Sequence, residues 1–256
     1  MFSGIASLFN TLVFEPLVNL LVVVLHVVPG GSMGLAIIVV IFLVKLVLYL
    51  PSNHSLKTQQ KLTVLRPELQ KLAKQHKDDP QARMRAQSEL YRAHGVNPFA
   101  SLLFPIFVQL PIFFGLYRVF LTEFNGNGFT PYLYSFISEP SAVTMEFLGA
   151  TLTEPFIPFA IAAGVAQYIQ ARSLAQQAPK NTATGKKGEP DFQASMNMSM
   201  MYIFPVLIGA WGMFLPSGLS LYWIVSSLFS YGQQYIIQRR TSERAEAASI
   251  EAPASK

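Results

Sequence analysis

IIVVIFLVKLVLYLP, residues Ile37 to Pro51, is an apolar run with one lysine, Lys45, inside it. A cation near a bilayer centre costs roughly 2.5–3.5 kcal/mol even on insertion scales, so a chain that places one there must offset it. Two offsets are open. Lys45 stands six residues before Pro51, about 9 Å from the helix end at 1.5 Å per residue, near the limit from which its stem can snorkel to the headgroups. The alternative is a hydrated cavity.

Of the 256 residues, 51% are hydrophobic and 13% charged, with mean hydropathy +0.36. Several runs approach the roughly 20 apolar residues that a bilayer-spanning helix needs, which predicts an all-α polytopic membrane protein. There is no cysteine, which excludes disulfides, thiolate metal sites, a cysteine nucleophile and lipid attached through cysteine. The start, MFSGIASLFNTLVF, lacks the basic region and cleavage site of a secretory signal and reads as mature sequence.

Charge sets the topology. Nine of the 19 Lys and Arg residues lie between Ser52 and Pro98, four between Arg172 and Gln193 and four in the C-terminal tail, leaving Lys45 and Arg118. The stretch from Thr122 to Glu154 has no basic residue but holds Glu123, Glu139, Glu146 and Glu154. The positive-inside rule puts the basic segments on the cytoplasmic side and the acidic loop outside.

Five spans satisfy this alternation: 34–50, 99–121, 155–170, 199–215 and 218–237. The connections are a cytoplasmic segment at 52–98, an extracytoplasmic loop at 122–154, a cytoplasmic loop at 171–198 and a basic cytoplasmic tail at 238–256. Leu215-Pro216-Ser217-Gly218 reads as a tight outer turn. Residues 1–30 carry a polar stripe, Ser3, Ser7, Thr11, Glu15 and Asn19, at every fourth position. That pattern predicts an amphipathic helix in the outer interface, kinked near Pro16; a sixth spanning helix is the alternative.

Segment 52–98 reads as a helical hairpin. Leu62, Leu65, Leu69 and Leu72 keep helical spacing, Pro67 kinks or restarts the first arm, Asp79-Pro80 starts the second and Gly95 ends it. Lys57, Lys61, Arg66, Lys71, Lys74, Arg83 and Arg85 fall largely on the faces the leucines leave. They are either a solvated surface or contacts for anionic headgroups, ribosomal RNA or an acidic partner. No base-reading motif is present, so sequence-specific nucleic-acid binding is not expected.

Within the spans the polar residues converge. Ser220, Trp223, Ser227, Ser230 and Gln234, spaced 3, 4, 3 and 4, share one helical face. Lys45, Gln109 and Gln167 lie at the middle or in the cytoplasmic half of three other spans. Either the face is interhelical glue or it walls a wet, positively charged groove open to the cytoplasm. Pro105 and Pro111 bracket Gln109 and read as helix-shaping residues; Met196, Met198, Met200 and Met201 read as adaptable helix-packing surface.

GVNPFASLLFPIFVQLPIFFGLYRVF (Gly95 to Phe120) and MMYIFPVLIGAWGMFLPSGLSLYWIVSSLFSYGQQYII (Met200 to Ile237) resemble the YidC insertase family. The resemblance runs from about Phe14 to Gln238 and is to the short form, without a large extracytoplasmic domain. It implies a five-span core, an outer interfacial helix and a cytoplasmic hairpin. It also implies a hydrophilic groove that receives hydrophobic segments of nascent membrane proteins and releases them laterally into lipid. The groove residues on that reading are Lys45, Gln109, Gln167, Ser220, Trp223, Ser227 and Ser230. In that family the first span usually carries an arginine where Lys45 stands; lysine keeps the charge but loses the planar fork for a carboxylate.

The implied partners are nascent membrane proteins and the lipid bilayer, with the ribosome, the signal-recognition-particle receptor and the Sec translocon beside them. The implied location is the bacterial cytoplasmic (inner) membrane, multi-pass, with a cytoplasmic C-terminus. A small-solute transporter or channel is the rival, though it calls for an internal repeat and intramembrane carboxylates that are not found. No metal-ligand spacing, nucleotide motif or intramembrane serine–histidine pairing is found, so no cofactor, metal or catalytic residue is expected.

Overall fold

The structure, a computed structural model, describes residues 2–77, 79–124, 128–176 and 199–251. The chain starts as α1 (Phe2–Phe9), widens into a π-helical turn (Asn10–Phe14) and continues as α2 (Glu15–Val27). The sequence predicts a kink at Pro16. Instead the ladder shifts register, with the Glu15 amide bonding Asn10 O, so the missing proline N–H falls at a turn where the ladder has already changed. Residues Ala6–Val27 form one helix of 22 residues, long and apolar enough to cross a membrane.

After a glycine turn come α3 (Met33–Val47) and α4 (Tyr49–Val64), bent at Leu48. The expected first span, 34–50, thus ends at Val47, and the apolar pair 33–62 bends by 66°. Next are α5 (Arg66–Gln75), α6 (Pro80–Ala93), α7 (Pro98–Phe124) and α8 (Ile157–Gln176). A π-helical turn at Ser199–Ile203 leads into α9 (Phe204–Gly212), and α10 (Ser217–Glu251) is the last helix. These helices follow the five expected segments, but most are not long, uninterrupted apolar rods. Phe107–Thr122 and Met201–Gly212 are apolar and shorter, and the described residues hold one helix long and apolar enough to cross a membrane, or two if the bent pair counts as one. Met196 and Met198 lie outside the described residues.

The loop between α7 and α8 is built rather than open. Glu146–Phe147 (β1) pairs antiparallel with Ala150–Thr151 (β2) through Glu146↔Thr151 and Phe147↔Ala150. The loop bonds to the start of α3 through Met33 N to Thr144 O, 3.0 Å, and Thr144 N to Gly31 O, 2.9 Å. It also caps α10, whose Ser217 and Gly218 amides donate to Glu154 O (2.8 Å) and Leu152 O (3.0 Å). Those are two of the donors that a helix start leaves without intrahelical partners.

The apolar core gathers at this loop end. Met33, Ile37, Val40 and Ile41 of α3, Leu116 and Phe120 of α7, Leu152 of the loop and Leu219 and Tyr222 of α10 are buried together. Toward the hairpin end it thins: Phe42, Leu46, Val47, Leu50, Phe107 and Leu110 are exposed.

The N-terminal helix is tied to the loop side. Asn19 is buried, donating to Glu15 O and Tyr132 O and accepting from Tyr134 N. The expected polar stripe therefore does not stay on an outward face: Ser7 and Thr11 are exposed but Asn19 turns inward. An amide matches the donors and acceptors of loop backbone, which apolar neighbours cannot satisfy. Arg118 of α7 bonds the Asn10 side chain and lies 4.2 Å from the Phe14 ring centroid and 5.5 Å from that of Tyr132.

The hairpin matches its sequence signals. Leu65, Leu69 and Val96 form a small core supported by Leu62, Leu90 and Tyr91, and burial there raises the Tyr91 phenol above its usual pKa. Asp79 caps α6, accepting from the amides of Gln81 and Ala82 at 3.0 Å each. Pro67 sits in the first turn of α5, and Gly95 takes a positive φ of 60° past the end of α6.

Two measurements test this account. A methyl group added at Gly218 would lie 2.0 Å from Phe120 Cζ, so Gly218→Ala should destabilise the bundle by about 1–3 kcal/mol, read as a lower thermal unfolding midpoint in detergent. Asp79→Ala should weaken α6 by about 1 kcal/mol, seen as faster amide hydrogen exchange at the start of α6 and not in α10.

Candidate functional site

The polar seam of α10 meets a different helix at each step. Ser220, nearest the loop end, is fully buried beside Gly212, and its Oγ has no hydrogen-bond partner among the described residues. One turn on, Trp223 stacks on Phe113 of α7, with centroids 5.3 Å apart and planes at 23°. Gln109, one turn before Phe113, lies beside the Tyr222 hydroxyl together with Ser226. Their spacing falls short of hydrogen-bond geometry, and the Tyr222 hydroxyl, like Gln234 Oε1, is buried without a partner among the described residues.

Ser227 turns to α8 and donates to Gln167 Oε1 at 2.9 Å. Ser230 turns to α3 and accepts from Lys45 Nζ at 3.4 Å. This answers the question raised by Lys45: its ammonium points across to the last helix, one turn before the Leu48 bend. Of the seven groove candidates, Lys45 with Ser230 and Gln167 with Ser227 are joined by hydrogen bonds, Trp223 stacks on α7, Gln109 lies beside Tyr222, and Ser220 is buried against α9 without a hydrogen-bond partner among the described residues. Ser220, Trp223 and Ser227 are buried, whereas Lys45, Gln109, Gln167 and Ser230 are half-buried.

The electrostatics are one-signed. Lys45 is the ionisable member of this set, and among the described residues no carboxylate pairs with it. Close approach of the helices is permitted by small residues: Ala160, Ala163 and Gly164 of α8 face Gly209 and Gly212 of α9, where an added methyl at Gly164 would sit 3.1 Å from Pro205 O. Among the described residues no group of three His, Cys, Asp or Glu side chains is placed to hold a metal ion.

In the hairpin Lys57, Lys61, Lys71, Lys74, Arg83 and Arg85 are all exposed, leaving a basic surface opposite the leucine core. Arg66 begins α5, and its side chain lies outside the described ones.

Two contributors escape a sequence reading. Gln233 bonds Ser52, Asn53 and Tyr49 on α4; three residues after Ser230 it borders the same face, but spacing alone does not tell which helix it meets. Arg118 stands out in sequence only as a cation left over from the basic segments, and its aromatic partners are distant along the chain.

Comparison with known proteins shows the family. A family model described as 60Kd inner membrane protein matches residues 24–244. A relative in Fusobacterium nucleatum is 31% identical over 210 residues, covering 82% of this chain and 88% of the relative. Another in Methylobacillus flagellatus is 33% identical over 214 residues, covering 84% of this chain and 34% of the relative. A third, in Geobacter sulfurreducens, is 29% identical over 212 residues, covering 83% and 35%. All three carry the name membrane protein insertase YidC. The chain spans about a third of the length of the first relatives it matches, and most of the Fusobacterium one. With a match from residue 24 to residue 244 and a relative aligned along nearly its whole length, the chain belongs to the 60Kd inner membrane protein family, that of the YidC insertases.

Proposed function

We propose that this chain is a membrane protein insertase of the bacterial inner membrane, and that the seam on α10 is where it handles its substrates. The observation that carries the reading is the asymmetry of the bundle. Apolar residues are packed at the loop end, while Lys45, Gln109, Gln167 and Ser230 remain half-buried at mid-depth and toward the hairpin.

In this reading five spans cross the bilayer, and the hairpin, the 171–198 loop and the C-terminal tail are cytoplasmic. The loop at 128–156 lies outside, and the N-terminal helix rests in the outer interface. Support for that last placement is the series of loop-side partners along its length: Asn10 with Arg118, Phe14 with Tyr132, Asn19 with Tyr132 and Tyr134, His26 with Ser138.

The chemistry is exchange of weak polar contacts. Hydrogen bonds between membrane helices average about 0.6 kcal/mol, and the Lys45–Ser230 contact at 3.4 Å is longer than the usual 2.7–3.2 Å. Such contacts can be traded for water or for the polar tail of a substrate at little cost. Lys45 attracts acidic residues of that tail, and the half-buried polar groups shorten the low-dielectric path it must cross. The apolar segment then partitions sideways into lipid, driven by burial at about 25 cal/mol per Å². The exposed basic hairpin makes first contact with the emerging chain or with an acidic partner; ribosome, signal-recognition-particle receptor and Sec translocon are the candidates.

The decisive experiment is site-specific photo-crosslinking from positions 109, 167 and 227 to a ribosome-stalled membrane protein. Adducts at all three, absent from lipid-facing position 161, are the expected outcome; adducts at 161 alone would refute the groove. Lys45→Leu should selectively lower insertion of substrates with acidic tails and spare those with neutral ones, measured by protease protection in proteoliposomes.

A further inference from the structure

Gln233 stands outside the seam described above, and its bonds run to the bend between the first span and the hairpin. Its side chain is 5% exposed. Its Nε2 donates to Asn53 Oδ1 at 2.6 Å and to Tyr49 O at 3.3 Å, and its Oε1 accepts from Ser52 Oγ at 3.2 Å. Tyr49, Ser52 and Asn53 are spaced as one face of the first turn of α4, directly after the bend at Leu48. One amide therefore grips a whole helical turn with both of its functional ends.

The geometry around it gives that grip a consequence. From Ser217 to Glu251, α10 is one helix, whereas its neighbour breaks into α3 and α4 at 66°. Before the break, α3 lies on α10 through Phe42 against Phe229 and Lys45 against Ser230. After it, α4 packs along α7 on one side, and the Gln233 bonds tie its other side to α10. Pro51, in the first turn of α4, has no amide to bond Val47 O and so opens the ladder at the bend, but the freed joint still takes its angle from the tertiary contacts on either side.

We propose that Gln233 is a positioning residue: a latch that holds the first turn of α4 against α10 and so fixes the angle at which the cytoplasmic hairpin leaves the bundle, one turn below Lys45. The cytoplasmic placement rests on the insertase reading; the latch itself does not. Releasing it frees the hairpin to swing about Leu48, moving the basic surface relative to the seam. The bonds suit a reversible catch, being few and all between neutral groups.

The chain has no native cysteine, so spin labels can be placed without background. Labels at Arg85→Cys on α6 and Leu228→Cys on α10 report hairpin against bundle, and Ile169→Cys with Leu228→Cys reports the bundle alone. Distances are measured by pulsed electron resonance in nanodiscs of phosphatidylethanolamine and phosphatidylglycerol. Gln233→Leu, which keeps bulk and removes both ends of the amide, should displace and broaden the hairpin distribution and leave the bundle pair unchanged. Ser52→Ala combined with Asn53→Leu should give the same change from the α4 side, and adding Gln233→Leu to it should give no further change.

A hairpin distribution unaltered in Gln233→Leu overturns the latch. If Gln233→Leu disturbs the bundle pair, the α4-side variant decides by the same criterion. These distances need no substrate. Insertion unaffected by Lys45→Leu would count against the insertase role of the seam and leave the latch standing.

Discussion

A polar side chain buried among apolar helices is costly unless it is hydrogen-bonded, and several in this bundle find their partner on another helix. That constraint organises this molecule around α10. Ser227 draws α8 through Gln167, Ser230 draws α3 through Lys45, and Gln233 draws α4 through Ser52 and Asn53. Remove the polar seam and α10 would be one more apolar rod, with only shape to decide which neighbours it meets. Two seam pairs, Ser227 with Gln167 and Ser230 with Lys45, and Gln233 beside the seam tie three helices to α10.

The seam also divides the bundle into unequal halves. At the loop end, rings and branched side chains fill the interior, and Gly218 lets α10 press against Phe120. The loop itself takes part, with Leu152 and Phe129 buried and its carbonyls capping α10. Toward the hairpin the interior becomes polar, with Lys45, Gln109, Gln167 and Ser230 half-buried and Gln233 and Gln234 buried, and α3 gives way to α4 at the Leu48 bend. The bundle is thus packed with apolar side chains at one end and joined by weak polar contacts toward the other.

Arg118 and Lys45, the two cations outside the basic segments, have opposite environments. Arg118 is held by aromatic faces and an amide against the N-terminal helix, a stacking role that a planar guanidinium fills well. Lys45 has a single long contact to a serine and no carboxylate among the described residues. The first is a structural rivet; the second is a charge left available.

Much of this was legible in the chain. Leucine spacing, Asp79-Pro80 and Gly95 specified the hairpin because caps and turns depend on neighbours within a few residues. The spacing of Ser220, Trp223, Ser227 and Ser230 marked one helical face, since period 3.6 is a local property, and the charge distribution suggested which loops share a side. Tertiary structure alone decided which helix each seam residue meets, that Asn19 turns inward to the loop and that Pro16 is absorbed by a π-helical turn. It also decided that the helix of the Ile37–Pro51 run bends at Leu48 and that Gln233 bonds the turn just beyond the bend. Apart from the local π-helical turn, these features depend on groups far apart in sequence, 60 residues for Ser227 and Gln167 and more than a hundred for the bonds of Asn19, Lys45 and Gln233, and no periodicity or cap within one segment records what another segment will bring to it.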